Sequence, residues 1–248
     1  KFGPERVTAL RQFLKDFPDS KSKEQANLQI ALALPNLTDK AVALRAFMTD
    51  FPASRFKEQA EYQLTSTFAT AAERQSAQEQ FIKDHPKSTY AGSIYAAWFN
   101  SQVLEKPVNE ARLAATIDGY LGSSPDVSLP AGNYTRNMRA ATMNTVADRL
   151  MANDVMLDKA LEVIQKAVAA AGDKEEPTSR GMYTTTLGQV LFKLQRYDEA
   201  GETLKRAIQI AGGDGDAEAQ LFLGKFYDVK HDDEAALKSI GKAIACNP

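Results

Sequence analysis

The 248-residue chain holds one cysteine (Cys246), two histidines (His85 and His231) and one tryptophan (Trp98). That scarcity excludes a four-cysteine zinc site, a site of two cysteines and two histidines, an iron–sulfur cluster, a CxxC redox pair and an intramolecular disulfide. No cofactor is expected. Long uncharged apolar runs are also missing, so no membrane-spanning helix is expected. Neither sign of charge dominates: 30 Lys and Arg stand interspersed with 32 Asp and Glu, for a net charge of −2 and a pI near 5.8. A duplex-binding protein would show a basic face, so nucleic acid is not an expected partner. The row opens at Lys1 without an initiator Met or a basic-then-apolar leader, which reads as a processed or trimmed N-terminus.

At 27.2 kDa the chain has room for one large domain or two ordinary ones, and 44% hydrophobic with 25% charged residues is a globular composition. Abundant Ala, Leu, Glu, Lys and Gln, with only 10 Pro, favour helix.

A repeat decides the fold class. The string from Phe13 to Ser20, with Asp16, Phe17 and Pro18 inside it, returns from Phe47 to Ser54 and from Phe81 to Ser88, in steps of 34 residues. The flanking segment KEQANLQ (23–29) returns as KEQAEYQ (57–63). Further along, Leu187-Gly188, Leu191, Tyr197, Ala200, Leu204 and Ala207 are followed by Leu223-Gly224, Tyr227, Ala236, Ile240 and Ala243. The second set comes two residues late, and the excess sits in the Gly-rich segment 212–216.

These residues resemble the tetratricopeptide repeat, whose 34-residue unit carries Leu-Gly and an aromatic on its first helix and small residues on its second. Ala160, Ile164 and Ala167 fit the same frame in a unit over about 141–174, although its first helix has Ala147-Asp148 where Leu-Gly is usual. The resemblance implies an all-α, right-handed superhelical solenoid of antiparallel helix hairpins. Helical hairpins of this kind cannot each bury a whole core, so stability comes from stacking on neighbours. Ala200, Ala207, Ala236 and Ala243 let paired helices approach, while Phe13, Phe47 and Phe81 fill the space between hairpins. Pro18, Pro52 and Pro86 stop each second helix. The N-terminal variant resembles repeats of bacterial envelope proteins, which implies a periplasmic or envelope location, with the cytoplasm as the alternative.

The frame is interrupted by an insertion at 105–109 and by a lengthened inter-repeat loop at 126–133, and a seam is expected there between an N-terminal block (1–125) and a C-terminal block (126–248), continuous with one another. The first block opens on a second helix, Pro4 to about Phe17, without a first-helix partner. Both ends expose apolar faces, and the chain reads as a segment of something longer.

Catalysis has little support. His85 stands where Phe17 and Phe51 stand in the other units and reads as a packing residue; His231 falls in a hairpin turn; Cys246 has no basic cluster to activate it. The GGDGD segment (212–216) lacks the closing Glu of a calcium loop and reads as an inter-repeat turn. Glu175-Glu176 and Asp232-Asp233-Glu234 read as solvated helix-start clusters. Neither a GxxxxGK[ST] nor a GxGxxG motif is present. Trp98 reads as repeat packing.

The resemblance places the fifth and ninth positions of each first helix in a concave groove. Carried onto this sequence, they are Gln25 and Gln29 in one unit and Gln59 and Gln63 in the next. A glutamine offers two donors and an acceptor without charge, which suits the backbone of an extended peptide. Ser66, Thr67, Asn100, Gln189 and Lys193 extend this polar lining. A carboxylate clamp is poorly matched, because Gln stands where basic groups and Asn are wanted; Arg149 and Asn153 alone fall at such positions. The expected function is therefore a non-catalytic scaffold that binds a peptide or protein segment. Two alternatives stay open: the arm of a larger bacterial envelope enzyme with a thioredoxin-like or peptidase domain elsewhere, and a self-associating spacer.

Overall fold

A computed structural model describes residues 4–212 and 216–246. They form thirteen helices and one β-hairpin: α1 (Pro4–Asp16), α2 (Lys23–Ala33), α3 (Leu37–Asp50), α4 (Lys57–Thr65), α5 (Ala71–Asp84), α6 (Thr89–Gln102), α7 (Glu110–Ser123), β1 (Ser128–Ala131), β2 (Tyr134–Asn137), α8 (Met138–Ala152), α9 (Leu157–Ala170), α10 (Pro177–Lys193), α11 (Tyr197–Ile210), α12 (Ala217–Val229) and α13 (Asp233–Cys246). Among the described residues no helix is long and apolar enough to cross a membrane. The fold is an all-α array of helical repeats, as the 34-residue register implies. Two compact units divide it, Lys1–Ile94 and Tyr95–Pro248, and the boundary falls inside α6. The seam expected at 125/126 therefore lies within the second unit: Leu113 and Ile117 of α7 are buried in the same cluster as Val146 and Leu150 of α8.

In the first unit each helix packs on the next, from α1 to α5. Side-chain caps start the second helices: Asn36 accepts from Thr38 N and Asp39 N, and Thr70 and Glu73 form a capping box that holds the Glu73 carboxyl below its ordinary pKa. The repeated Phe-Pro-x-Ser motif ends them. Phe51 N and His85 N donate to Phe47 O and Phe81 O, Pro then stops the helix, and Ser54 N and Ser88 N turn back to Phe51 O and His85 O. Ser20 N turns to Phe17 O in the same way. A tilted ring pair recurs with these turns, at centroid distances of 5.5 Å for Phe13–Phe17, 5.3 Å for Phe47–Phe51 and 4.8 Å for Phe81–His85. Leu28, Ala31, Leu44, Phe47 and Ala60 form the core. Phe13, at the equivalent place on α1, is only half-buried.

In the second unit the small-residue register has a direct steric meaning. A Cβ on Gly188 would lie 2.7 Å from Leu204 Cγ, and one on Gly224 would lie 2.7 Å from Ile240 Cγ1. In both hairpins a first-helix glycine leaves room for the aliphatic side chain sixteen residues later, while Ala200, Ala207, Ala236 and Ala243 are buried at the same seams. The turns inside these hairpins also repeat: Asp154, Gln195 and His231 each adopt a left-handed conformation (φ 52°, 61° and 58°), and the following amide returns to Leu150 O, Leu191 O and Tyr227 O. His231 thus sits in the turn expected for it.

Two expectations fail here. Residues 128–137 form an antiparallel hairpin rather than a plain loop, pairing Leu129 with Arg136 and Ala131 with Tyr134 around Gly132 at φ 63°. Thr135 then bonds to Lys174 O and Glu176 N, so the segment before α10 joins the hairpin as a third strand-like edge. Glu175 is consequently not solvated: it is 2% exposed, and its Oε2 accepts from Asn137 N at 2.8 Å. Burial first, and then the Glu175 charge, hold the Tyr183 phenol above its ordinary pKa.

Candidate functional site

The first helices α2, α4 and α6 are held in series by one recurring bond. Ser54, three residues before α4, donates to Glu24 Oε2 on α2 at 2.6 Å; Ser88, just before α6, donates to Glu58 Oε1 on α4 at 2.6 Å. Each bond spans 30 residues, so α2 and α4 start side by side and present the residues after Glu24 and Glu58 in the same way.

Those residues include the four glutamines. Gln25 and Gln29 line a cleft of about 250 Å³ between α1 and α2, together with Arg6, Leu10, Phe13 and Ser22. Arg6 Nη2 reaches Gln29 Oε1 at 3.5 Å. Gln25 is exposed and Gln29 half-buried, while Gln59 and Gln63, at the equivalent places on α4, are both half-buried. An apolar floor with uncharged amides at its rim suits a main chain that brings its own side chains to the floor.

The remaining expected positions behave differently. Ser66 donates to Gln63 O and Thr67 to Leu64 O, both at 2.7 Å. The same two carbonyls already accept from Ser66 N and Thr67 N, so the hydroxyls reinforce the end of α4; Ser66 is exposed, whereas Thr67 is only 9% exposed. Asn100 is exposed on α6. Gln189 is enclosed, at 3% exposure, where α10 packs between α8, α9, α11 and α12, and its Nε2 donates to Glu218 Oε2 at 3.3 Å. Lys193 is tied to Asp154 Oδ1 at 2.7 Å. Thr185, one turn before Gln189, donates to Asp216 Oδ2 at 2.6 Å. The polar face of α10 is thus used inside the protein. Of the GGDGD segment, residues 213–215 lie outside the described residues; Asp216 caps α12 through Ala219 N.

One partnership was not visible in the repeat alone. His85 Nε2 lies 2.8 Å from Glu61 Oε2 while its ring packs on Phe81. Both residues, with Asp84, Leu64 and Phe68 among others, border a cleft of about 500 Å³ between α4 and α5. The signal lay in a pair of departures: His85 replaces Phe51, and Glu61 replaces Asn27, at matched positions of adjacent repeats.

No family model matches the chain, and no curated protein matches it. Among solved structures it is similar to "MamA RS-1 ArsTM double mutant", at 13% identity and a TM-score of 0.41 over 99% of this chain and 96% of that one. It is also similar to "Crystal structure of APC/C hetero-tetramer Cut9-Hcn1", at 14% identity and a TM-score of 0.43 over 98% of this chain and 43% of that one. Both likenesses are too weak to transfer detail; the repeat architecture rests on the helices and turns above.

Proposed function

We propose that this tetratricopeptide-like helical array is a protein-interaction scaffold, without catalysis of its own, that holds an extended peptide segment against α2 and α4. The observation that carries this reading is the recurrence of Gln25 and Gln29 as Gln59 and Gln63 on first helices that the Ser54–Glu24 bond sets side by side. Amide side chains at a fixed interval match the periodic donors and acceptors of a strand-like main chain. Micromolar affinity, about −8 kcal/mol, is expected, with a few residues dominating.

The test uses peptides selected against the whole chain by display. Binding of a selected peptide is measured by calorimetry to the parent and to the variant with Gln25, Gln29, Gln59 and Gln63 all replaced by Ala, after circular dichroism has shown equal helicity. A loss of about tenfold or more is expected. Unaltered binding removes these glutamines from the site.

A further inference from the structure

The second unit carries a different surface. Three clefts follow one another along α11 and share residues. The first, about 200 Å³, lies where α9, α10 and α11 meet; Val168 and Ile210 line it, with Arg180 and Arg206. Arg206 also lines the second, about 410 Å³, with Lys205 and Gln209. Lys205 and Gln209 pass on to the third, about 360 Å³, between α11, α12 and α13, where Lys238 and Lys242 stand over Ile208 and Leu223.

Five cations and one carboxylate, Glu202, line this track, in a chain whose net charge is −2. Glu202 neutralises only Lys205, at 2.9 Å, and Arg180 reaches the fully exposed Asp173 at 3.5 Å, a weak and screened pair. Arg206 and Lys238 have no ion-pair partner among the described residues. Apolar clefts recessed at both ends, joined by a cationic stretch with the Gln209 amide between them, are complementary to a linear segment with carboxylates in its middle and apolar side chains at its ends.

We propose that this track on α9–α13 docks an acidic peptide segment, two apolar side chains of which enter the end clefts while its carboxylates meet Lys205, Arg206, Lys238 and Lys242. A peptide is favoured over an anionic membrane because the apolar groups are recessed: Leu223 is 6% exposed at the base of its cleft, where a lipid surface cannot reach it. The site is separate from the glutamine face and stands or falls independently of it.

The test titrates the full chain with a fluorescein-labelled twelve-residue peptide of Glu with one Leu near each end, and with its Gln-for-Glu counterpart. The acidic peptide is expected to bind about tenfold more tightly, with affinity falling as salt rises. The Lys238→Glu/Lys242→Glu variant should weaken it about tenfold, and Arg206→Gln on the neighbouring helix by a smaller factor. Lys15→Glu/Lys21→Glu in the first unit gives the same net charge as the Lys238/Lys242 pair and should leave binding within about twofold. Equal losses in the two double variants, or no loss in either, overturn the proposal. Sedimentation of the chain with phosphatidylserine vesicles, without binding of the acidic peptide, overturns it in favour of a lipid surface.

Discussion

The Ser54 hydroxyl donates to the Glu24 carboxylate at 2.6 Å, and the same atom accepts from Phe56 N at 3.1 Å. One side chain therefore fixes the turn before α4 and ties it to α2. Ser88 repeats both bonds with Glu58 and Tyr90 N. Ser20 occupies the same place before α2, where its Oγ accepts from Ser22 N. Replacing Ser54 or Ser88 with Ala should cost about 1–2 kcal/mol, because a charge-assisted bond and a bond to the following backbone amide are lost together. Ser20→Ala should cost about 0.5 kcal/mol, the value of the exposed turn bond alone. Urea unfolding followed by circular dichroism ranks the three.

His85 and Glu61 form a second coupled pair, with side chains 29% and 28% exposed. Each single change towards the neighbouring repeat, His85→Phe or Glu61→Asn, should destabilise by removing a partner. The double variant should recover part of the loss, with a coupling of about 0.5–1 kcal/mol for a half-exposed pair. A double-mutant cycle in urea measures it; additive losses would show that the two residues act separately.

Glycines on the second unit should respond with opposite signs. Gly188→Ala and Gly224→Ala would press a methyl group against Leu204 and Ile240, and each should cost about 1–3 kcal/mol. Gly241, in the middle of α13, has nothing within 4 Å of an added Cβ. Gly241→Ala should therefore stabilise by about 0.5–1 kcal/mol, the helix-propensity difference. Thermal unfolding of the three variants checks the sign.

The repeated phenylalanines are not equivalent either. Phe47, 3% exposed between α2 and α4, should lose about 3–5 kcal/mol on truncation to Ala. Phe13, only half-buried, should lose distinctly less. Similar losses would mean that the two rings are equally enclosed.

The 34-residue step made the helices legible because the features that recur are the ones that set helix ends and seams: Pro18, Pro52 and Pro86, the alanines, and Gly188 with Gly224. The hairpin at 128–137 was missed although Gly132-Asn133 is a two-residue turn signal, because Pro130 and only four residues on each side gave no strand pattern to support it. Its consequence, the burial of Glu175, depends on a contact across 38 residues that no local pattern carries. For the candidate site, position in the repeat located Gln25, Gln29, Gln59 and Gln63, but not which polar groups the protein would use itself. Gln189 and Lys193 share the frame of the groove residues, yet Glu218 and Asp154 have taken their donors. The residues that take them lie 29 and 39 positions away, and the repeat pattern does not describe that pairing.

On the proposed function, the glutamine face of α2 and α4 holds a peptide main chain. Proton–nitrogen NMR of the side-chain amides tests it most directly, recorded on the whole chain with and without a display-selected peptide. The amide signals of Gln25, Gln29, Gln59 and Gln63 should shift on binding while that of the enclosed Gln189 stays in place. Saturating peptide that leaves those four signals unmoved would contradict it.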